Sequence, residues 1–140
     1  MLLGRRAVTC AVAMTLVLLG LSACEPQMEI RLSLHRDGQI GPPDAQGLRT
    51  LVLTGVSQCT RAEPVDLFPT IEQGSVVDRP GELSVPCGPE WQEWSASFTV
   101  DGALGPGLTR VDVEACTNPA EAIDEDCASA GRVVTLTAVS

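Results

Sequence analysis

The sequence predicts an all-β protein, an antiparallel β-sandwich of immunoglobulin-like or fibronectin-like type that carries two disulfides. Beyond residue 27, short runs of alternating apolar and polar residues recur, and this period of two is typical of half-buried strands. Gly and Pro separate the runs, as they do between the strands of a sandwich. The same region has no convincing helical period of ten or more residues. These patterns favour six or seven strands in two packed sheets.

The first predicted strand is MEIRLSLH, in which Met28, Ile30, Leu32 and Leu34 fall on one face. The following segment, HRDGQIGPPDAQG, indicates a loop of about a dozen residues because it is rich in Gly and Pro. The second predicted strand is LRTLVLTGV, whose contiguous apolar residues indicate that both of its faces are covered.

Residues 60–80 are predicted to form an irregular or edge segment, because Pro64 and Pro69 cannot donate a backbone hydrogen bond within a central strand. Pro80 and Gly81 fit the two central positions of a type II turn. Asp101 and the glycine after it begin a further turn. The remaining strands are predicted in the short run ELSVPC, which follows the first of these turns, and in WSASFTV, LTRVDVEAC and RVVTLTAV.

The N-terminus has the order of a secretory signal: charge, an apolar run, then small residues. Arg5 and Arg6 supply the charge, and residues 7–20 contain no charged side chain. This apolar run is shorter than the ~20 residues that a transmembrane helix needs. The segment ends in Leu21-Ser22-Ala23-Cys24, and through this lipobox the first 24 residues resemble the bacterial lipoprotein family.

The resemblance implies that Cys24 receives a diacylglyceryl group, that cleavage follows Ala23, and that the new amino terminus is then acylated. The expected division is a signal peptide over residues 1–23, a lipidated tether over 24–27 and a single sandwich domain over 28–140. Two or three acyl chains on one residue anchor a protein stably without spanning the bilayer. Glu25 after the cysteine favours the outer membrane over the inner one, by the sorting habit of enterobacterial lipoproteins.

The charge of the expected mature chain excludes one class of partner. Residues 24–140 hold seven Arg and no Lys against 18 acidic side chains, a formal charge of −11. Such a surface repels phosphate backbones, so nucleic acid is not expected as a partner. A partner protein or glycan of the envelope is compatible with it.

Four cysteines remain once Cys10 leaves with the signal and Cys24 is lipidated. An even number in an exported chain predicts two disulfides, for which three pairings are possible. The short separation of Cys116 and Cys127 on successive predicted strands favours their pairing, which leaves Cys59 with Cys87. A zinc site is not expected, because no Cys-x-x-Cys spacing occurs and His35 is far away in sequence.

The residue types that catalysis uses are scarce, and no catalytic residue is expected. The mature chain has one histidine, His35, and neither Lys nor Tyr. His35 ends an alternating strand just before a turn, a position typical of a solvated side chain and not of a general base. The sequence therefore predicts a protein that is not an enzyme and that needs no cofactor.

Two other groups are candidate binding residues. Trp91 and Trp94 are three positions apart and face opposite sides of a strand, so Trp94 is expected in the core and Trp91 is a possible contact residue. The loop 117–126 holds four carboxylates, from Glu121, Asp124, Glu125 and Asp126. It is expected to be a solvated acidic loop, with Ca²⁺ binding as the alternative, because its spacing is not that of an EF-hand.

The function expected from these features is a non-enzymatic binding, adhesion or structural module, anchored in the cell envelope through Cys24. Its partners would be the membrane, through the lipid, and an envelope protein or glycan. The first alternative is an accessory subunit of a larger envelope complex. A small secreted hydrolase and a Ca²⁺-dependent binder are further alternatives.

Overall fold

The computed structural model describes residues 28–117 and 126–140, and every regular element in these ranges is a strand. The predicted signal peptide, Cys24 and the predicted tether lie outside the described residues. The nine strands are β1 (Ile30–Leu34), β2 (Asp37–Ile40), β3 (Leu48–Cys59), β4 (Val65–Gln73), β5 (Val76–Asp78), β6 (Leu83–Val85), β7 (Gln92–Asp101), β8 (Gly107–Thr117) and β9 (Cys127–Ala138). The all-β prediction is confirmed. The described part of the chain contains no helix long and apolar enough to span a membrane.

The nine strands of the described residues are hydrogen-bonded into one continuous sheet, and they form two groups that make up the two layers of the sandwich. In the first group β3 pairs with β7 along one edge and with β1 along the other. In the second group β9 pairs with β8, β8 with β4, and β4 with both β5 and β6. The buried apolar side chains of both groups form one core. Whether the domain is immunoglobulin-like or fibronectin-like stays a prediction.

β2 connects the two groups and corrects two details of the prediction. It pairs briefly with β3, beyond the point where β1 stops, and it runs parallel to β9 from Asp37 opposite Thr135 to Ile40 opposite Ala138. The sandwich is therefore mixed and not wholly antiparallel. The segment 35–47, predicted as a loop, contains this strand, and Gly38 within it is buried where a Cβ would press on Leu136.

β4 shows why the prediction for residues 60–80 was wrong. It pairs with β8 over Val65–Glu72, so it is an inner strand despite its proline. β5 and β6 share its other edge and leave a break between them, which contains Pro80 and Gly81. Pro69 lies opposite this break, where a missing N–H interrupts no ladder. Gly81 has a φ of 98°, the positive value predicted for it.

The core follows from the alternation that predicted the strands. Leu51 and Leu53 of β3 are buried, whereas Val52 between them is only half-buried, so the predicted cover on both faces is partial. Trp94 lies opposite Gly55 in the register of β3 and β7. A Cβ at Gly55 would overlap the Ser33 carbonyl oxygen and the indole of Trp94. The absence of a side chain at Gly55 therefore lets the ring pack directly on the backbone of β3.

The strand directions define the two ends of the sandwich. β1 and β7 start where β3 finishes, with Ile30 opposite Cys59 and Gln92 opposite Ser57. β4 and β9 start where β8 finishes. We call this end, which the tether joins, the tether end, and it comprises residues 28–30, 59–65, 86–92, 116–117 and 126–127. The opposite end comprises residues 41–47, 74–75 and 102–107.

Candidate binding surfaces

Both disulfides form with the predicted pairing, and both lie at the tether end. Cys59 at the end of β3 is bonded to Cys87 in the segment before β7, and both are buried. Cys116 of β8 is bonded to Cys127 of β9, which is directly opposite it in the ladder. The described residues include no free cysteine. Two disulfides in a chain of this size indicate an extracytoplasmic location.

The acidic loop lies largely outside the described residues, which exclude Glu121, Asp124 and Glu125. Hydrogen bonds between Thr117 and Asp126 close its base. The Thr117 N–H donates to the Asp126 carbonyl at 2.9 Å, and the Asp126 N–H donates to the Thr117 hydroxyl at 3.1 Å. The expectation that the loop is solvated stays a prediction.

One cluster in the described residues has metal-ligand composition, formed by Glu114, Cys116 and Cys127. Its two sulfurs are bonded to each other and so are not available as thiolate ligands. Glu114 alone cannot hold an ion tightly, because cation sites need several ligands. The cluster is a consequence of the disulfide.

His35 is an exposed residue between β1 and β2. Its Nδ1 lies 3.0 Å from the Thr54 hydroxyl oxygen, and its backbone N–H donates to the Thr54 carbonyl at 2.9 Å. Thr54 lines a shallow depression of about 470 Å³, together with Asp37, Gln39, Ser95 and Thr137. Hydroxyl, amide and carboxylate groups there could hydrogen-bond a polar ligand. His35 is not among the lining residues, and the absence of enzymatic activity stays a prediction.

The two tryptophans occupy different environments. Trp94 is 4% exposed and lies in the core with Phe98, and its Nε1 has no hydrogen-bond partner within the described residues. Trp91 is 52% exposed and immediately precedes β7 at the tether end. The core position expected for Trp94 is observed, whereas a contact role for Trp91 stays a prediction.

A surface that sequence reasoning missed lies on the side of β4, β8 and β9 that faces away from the core. We call it the outer face, and we include β5 in it because β5 extends this sheet. Four large apolar side chains on it are exposed by 40–71%: Phe68, Val77, Leu108 and Val133. The register places Val77 beside Glu72, Glu72 beside Arg110 and Arg110 beside Val133. The sequence could have indicated this surface, because each of these strands has an apolar residue at a position that the alternation assigns to the outward, polar side.

An ion pair lies at the centre of the outer face. Nη2 of Arg110 is 2.9 Å from Oδ1 of Asp112, and the two side chains extend over Gly131, where a Cβ would overlap them. The hydrogen bond that Arg110 donates to Asp112, and then the charge of Asp112, raise the pKa of Arg110 above its usual value. A shallow groove of about 330 Å³ follows this pair and is bordered by Phe68.

The outer face carries an excess of negative charge. Glu72 and Glu114 are exposed on it and Asp66 is half-exposed, and none of the three has a salt bridge within the described residues. Arg110 is the one basic residue that faces outward on β4 and β8. Apolar side chains surrounded by carboxylates are suited to a surface that is itself apolar and basic.

Comparison with protein-family models finds no match, and comparison with curated proteins finds none either. Among solved structures, the chain is similar to β-glucosidase from Listeria innocua in complex with glucose, with 15% identity and a TM-score of 0.35. The complex of that enzyme with isofagomine gives 14% identity and a TM-score of 0.32. In both cases the match covers 84% of this chain and 17% of the enzyme, and similarity this slight does not indicate an activity.

Proposed function

We propose that the protein is a lipoprotein of the cell envelope, held at a membrane by acyl chains on Cys24, whose sandwich is a non-enzymatic module that binds another envelope protein. The lipobox supports the anchor, and the two disulfides agree with export. Glu25 supports the outer membrane as the destination. Adhesion and a structural role are forms of the same binding function.

The observation that carries the binding proposal is the outer face. Single exposed apolar residues are normal on protein surfaces, but four large ones on one face of a sheet expose more apolar area to water than is usual and are typical of an interaction site. Phe68, Val77, Leu108 and Val133 all occupy positions on β4, β5, β8 and β9 that face away from the core. A partner that covered them would remove this apolar area from water, and the favourable free energy of that burial is about 25 cal/mol per Å².

A protein suits the outer face better than a glycan does. Sugar rings bind on exposed aromatic platforms, and the outer face offers one aromatic residue, Phe68, beside aliphatic side chains. Its carboxylates would instead pair with Arg or Lys of a protein partner. A second copy of this chain is a poor occupant, because two surfaces of the same negative charge would repel each other.

The second candidate function is an accessory subunit of a larger envelope complex, and the same apolar residues favour it. Permanent interfaces are more apolar than transient ones, so a subunit would keep the outer face covered throughout its life. A binding module would cover it only when the partner is present. The two candidates therefore differ in whether the partner copurifies in a fixed ratio after detergent extraction.

Site-specific photo-crosslinking in intact cells tests the binding proposal. A photoreactive amino acid replaces Phe68 in one variant and, as the control, exposed Thr99 of β7 on the other sheet in a second. We expect a crosslinked product from position 68, none of the same mass from position 99, and loss of the product when Cys24 is Ser. Equal products from both positions, or none from position 68, would contradict the assignment of the outer face as the binding surface.

A further inference from the structure

The structure and the length of the tether together limit how far the domain can be from the membrane. From Cys24 to Met28 there are four residue steps, which span at most about 14 Å when fully extended. The sandwich is several times longer than this, since the 12 residues of β3 rise about 40 Å. Lipid on Cys24, on which this inference rests, would therefore hold the tether end against the headgroup region.

Trp91 is the large apolar side chain of the described residues that is exposed at the tether end. The segment that precedes Trp91 is attached to β3 at three points, so the backbone at Trp91 is held in place. Cys87 is bonded to Cys59, the Cys59 N–H donates to the Gly88 carbonyl at 2.7 Å, and the Gln58 amide donates to the Pro89 carbonyl at 2.9 Å. An exposed indole on a rigid support loses little conformational entropy on binding.

We propose that Trp91 is a second membrane contact, whose indole enters the boundary between headgroups and acyl chains and, with the lipid on Cys24, fixes the orientation of the domain. Tryptophan is enriched at this boundary because its ring is apolar and its N–H is polar. One anchor on a flexible tether leaves a domain free to tilt, whereas two separated contacts restrict it. The outer face would then be directed sideways along the membrane, towards other anchored proteins.

The charge of the tether end identifies the type of lipid surface. Glu29 and Glu90 are exposed there without a salt bridge within the described residues, and Arg61 pairs with Glu63 at 3.7 Å. The sequence adds the carboxylates of the loop 117–126, which starts and finishes at this end. The end is therefore acidic, so the contact suits a zwitterionic surface and is opposed by an anionic one.

The two tryptophans allow a direct test by fluorescence quenching. The mature lipidated protein is reconstituted into phosphatidylcholine vesicles in which the acyl chains are brominated near the headgroup, and its emission is compared with that in unbrominated vesicles. We expect bromine to remove up to about half of the emission, since Trp91 contributes to it and Trp94 is shielded in the core. In the Trp91→Phe variant, which retains Trp94, the quenching should be lost.

A matched control moves the reporter to the other end of the sandwich. Gln46 is exposed at the opposite end, and the double variant Trp91→Phe, Gln46→Trp should show no quenching by bromine. Vesicles rich in phosphatidylglycerol should quench wild-type Trp91 less at low salt, and the difference should shrink as salt screens the repulsion.

Each negative result has a separate meaning. Wild-type protein that floats with the vesicles but is not quenched would overturn the Trp91 contact and leave lipidation intact. Protein that does not float would overturn both proposals, because Trp91 would then have no anchored surface within reach. Quenching of the Gln46→Trp variant as strong as that of wild type would also overturn the contact, because the domain would lie on the bilayer without a fixed orientation.

Discussion

The two ends of the sandwich are closed by different means. At the tether end the connections between strands are held by covalent bonds, because both disulfides of the described residues lie there. At the opposite end, connections of two to seven residues are closed by hydrogen bonds of side chains: Oδ1 of Asp44 accepts the N–H groups of Gln46 and Leu48, each at 2.9 Å. A disulfide stabilises more when it closes a longer loop, so Cys59–Cys87, with a sequence separation of 28, is expected to contribute more than Cys116–Cys127, with a separation of 11.

The largest effect is expected when the disulfide that closes the longer loop is removed. Replacing Cys59 and Cys87 together by Ala should lower the free energy of unfolding by about 3.5 kcal/mol, since the bond closes a loop of 28 residues. Urea denaturation of residues 24–140, expressed without the predicted signal peptide and with Cys24 changed to Ser, would measure the loss. A change below about 1 kcal/mol would contradict the account of the tether end.

A smaller loss is expected for the second disulfide. Changing Cys116 and Cys127 to Ala should cost about 2.8 kcal/mol, because the loop that they close spans 11 residues. The neighbouring hydrogen bonds between Thr117 and Asp126 would remain. The same denaturation experiment gives the comparison, and a greater loss here than for Cys59 and Cys87 would show that loop length does not govern stability at this end.

At the opposite end, the largest single contribution is expected from Gln73. Its amide donates to the Gly105 carbonyl at 2.7 Å and to the Thr109 hydroxyl at 2.9 Å, and it accepts the Gly105 N–H at 2.8 Å. Gln73→Ala should destabilise the protein by about 1–2 kcal/mol, since three partners lose a bond. The control is Gln46→Ala, an exposed side chain at the same end, which should change stability by less than about 0.5 kcal/mol.

The smallest effect is expected at His35. Its imidazole is exposed and its side-chain hydrogen bond is to an exposed hydroxyl, so His35→Ala should alter stability by no more than about 0.5 kcal/mol. The same pair of proteins would be assayed with ester, peptide and glycoside substrates. Turnover by the parent protein that disappeared in the variant would contradict the non-enzymatic function and favour the hydrolase.

Local patterns predicted part of this fold because they depend on local physics. Alternation identified β1, β7 and β8, and the separation of Cys116 from Cys127 identified their pairing. β2 was missed because its four residues include Gly38 and are stabilised by pairing with β9, almost 100 positions away. β4 was misjudged because the consequence of Pro69 depends on the break between β5 and β6, which local sequence does not reveal.

The binding surfaces were harder to predict than the strands. Alternation along β7 predicted the burial of Trp94, whereas Trp91, which was predicted to lie in the same strand, is exposed just before that strand begins. The outer face required the register of four strands, because Phe68, Val77, Leu108 and Val133 are dispersed over 66 positions of the chain. Each of these residues appears ordinary until the pairing shows that all four lie on the same face of one group of strands.

Mass spectrometry of the mature N-terminal peptide tests the central claim most directly, because the membrane anchor depends on the chemistry at Cys24. The full precursor is expressed in bacteria, the membrane fraction is extracted with detergent, and the peptide is analysed beside that of Cys24→Ser. We predict a peptide that begins at Cys24 with the added mass of a diacylglyceryl group, and an uncut, unlipidated precursor for the variant. A mature chain that begins at an unmodified Cys24, or a Cys24→Ser protein that is cut after Ala23, would contradict the account.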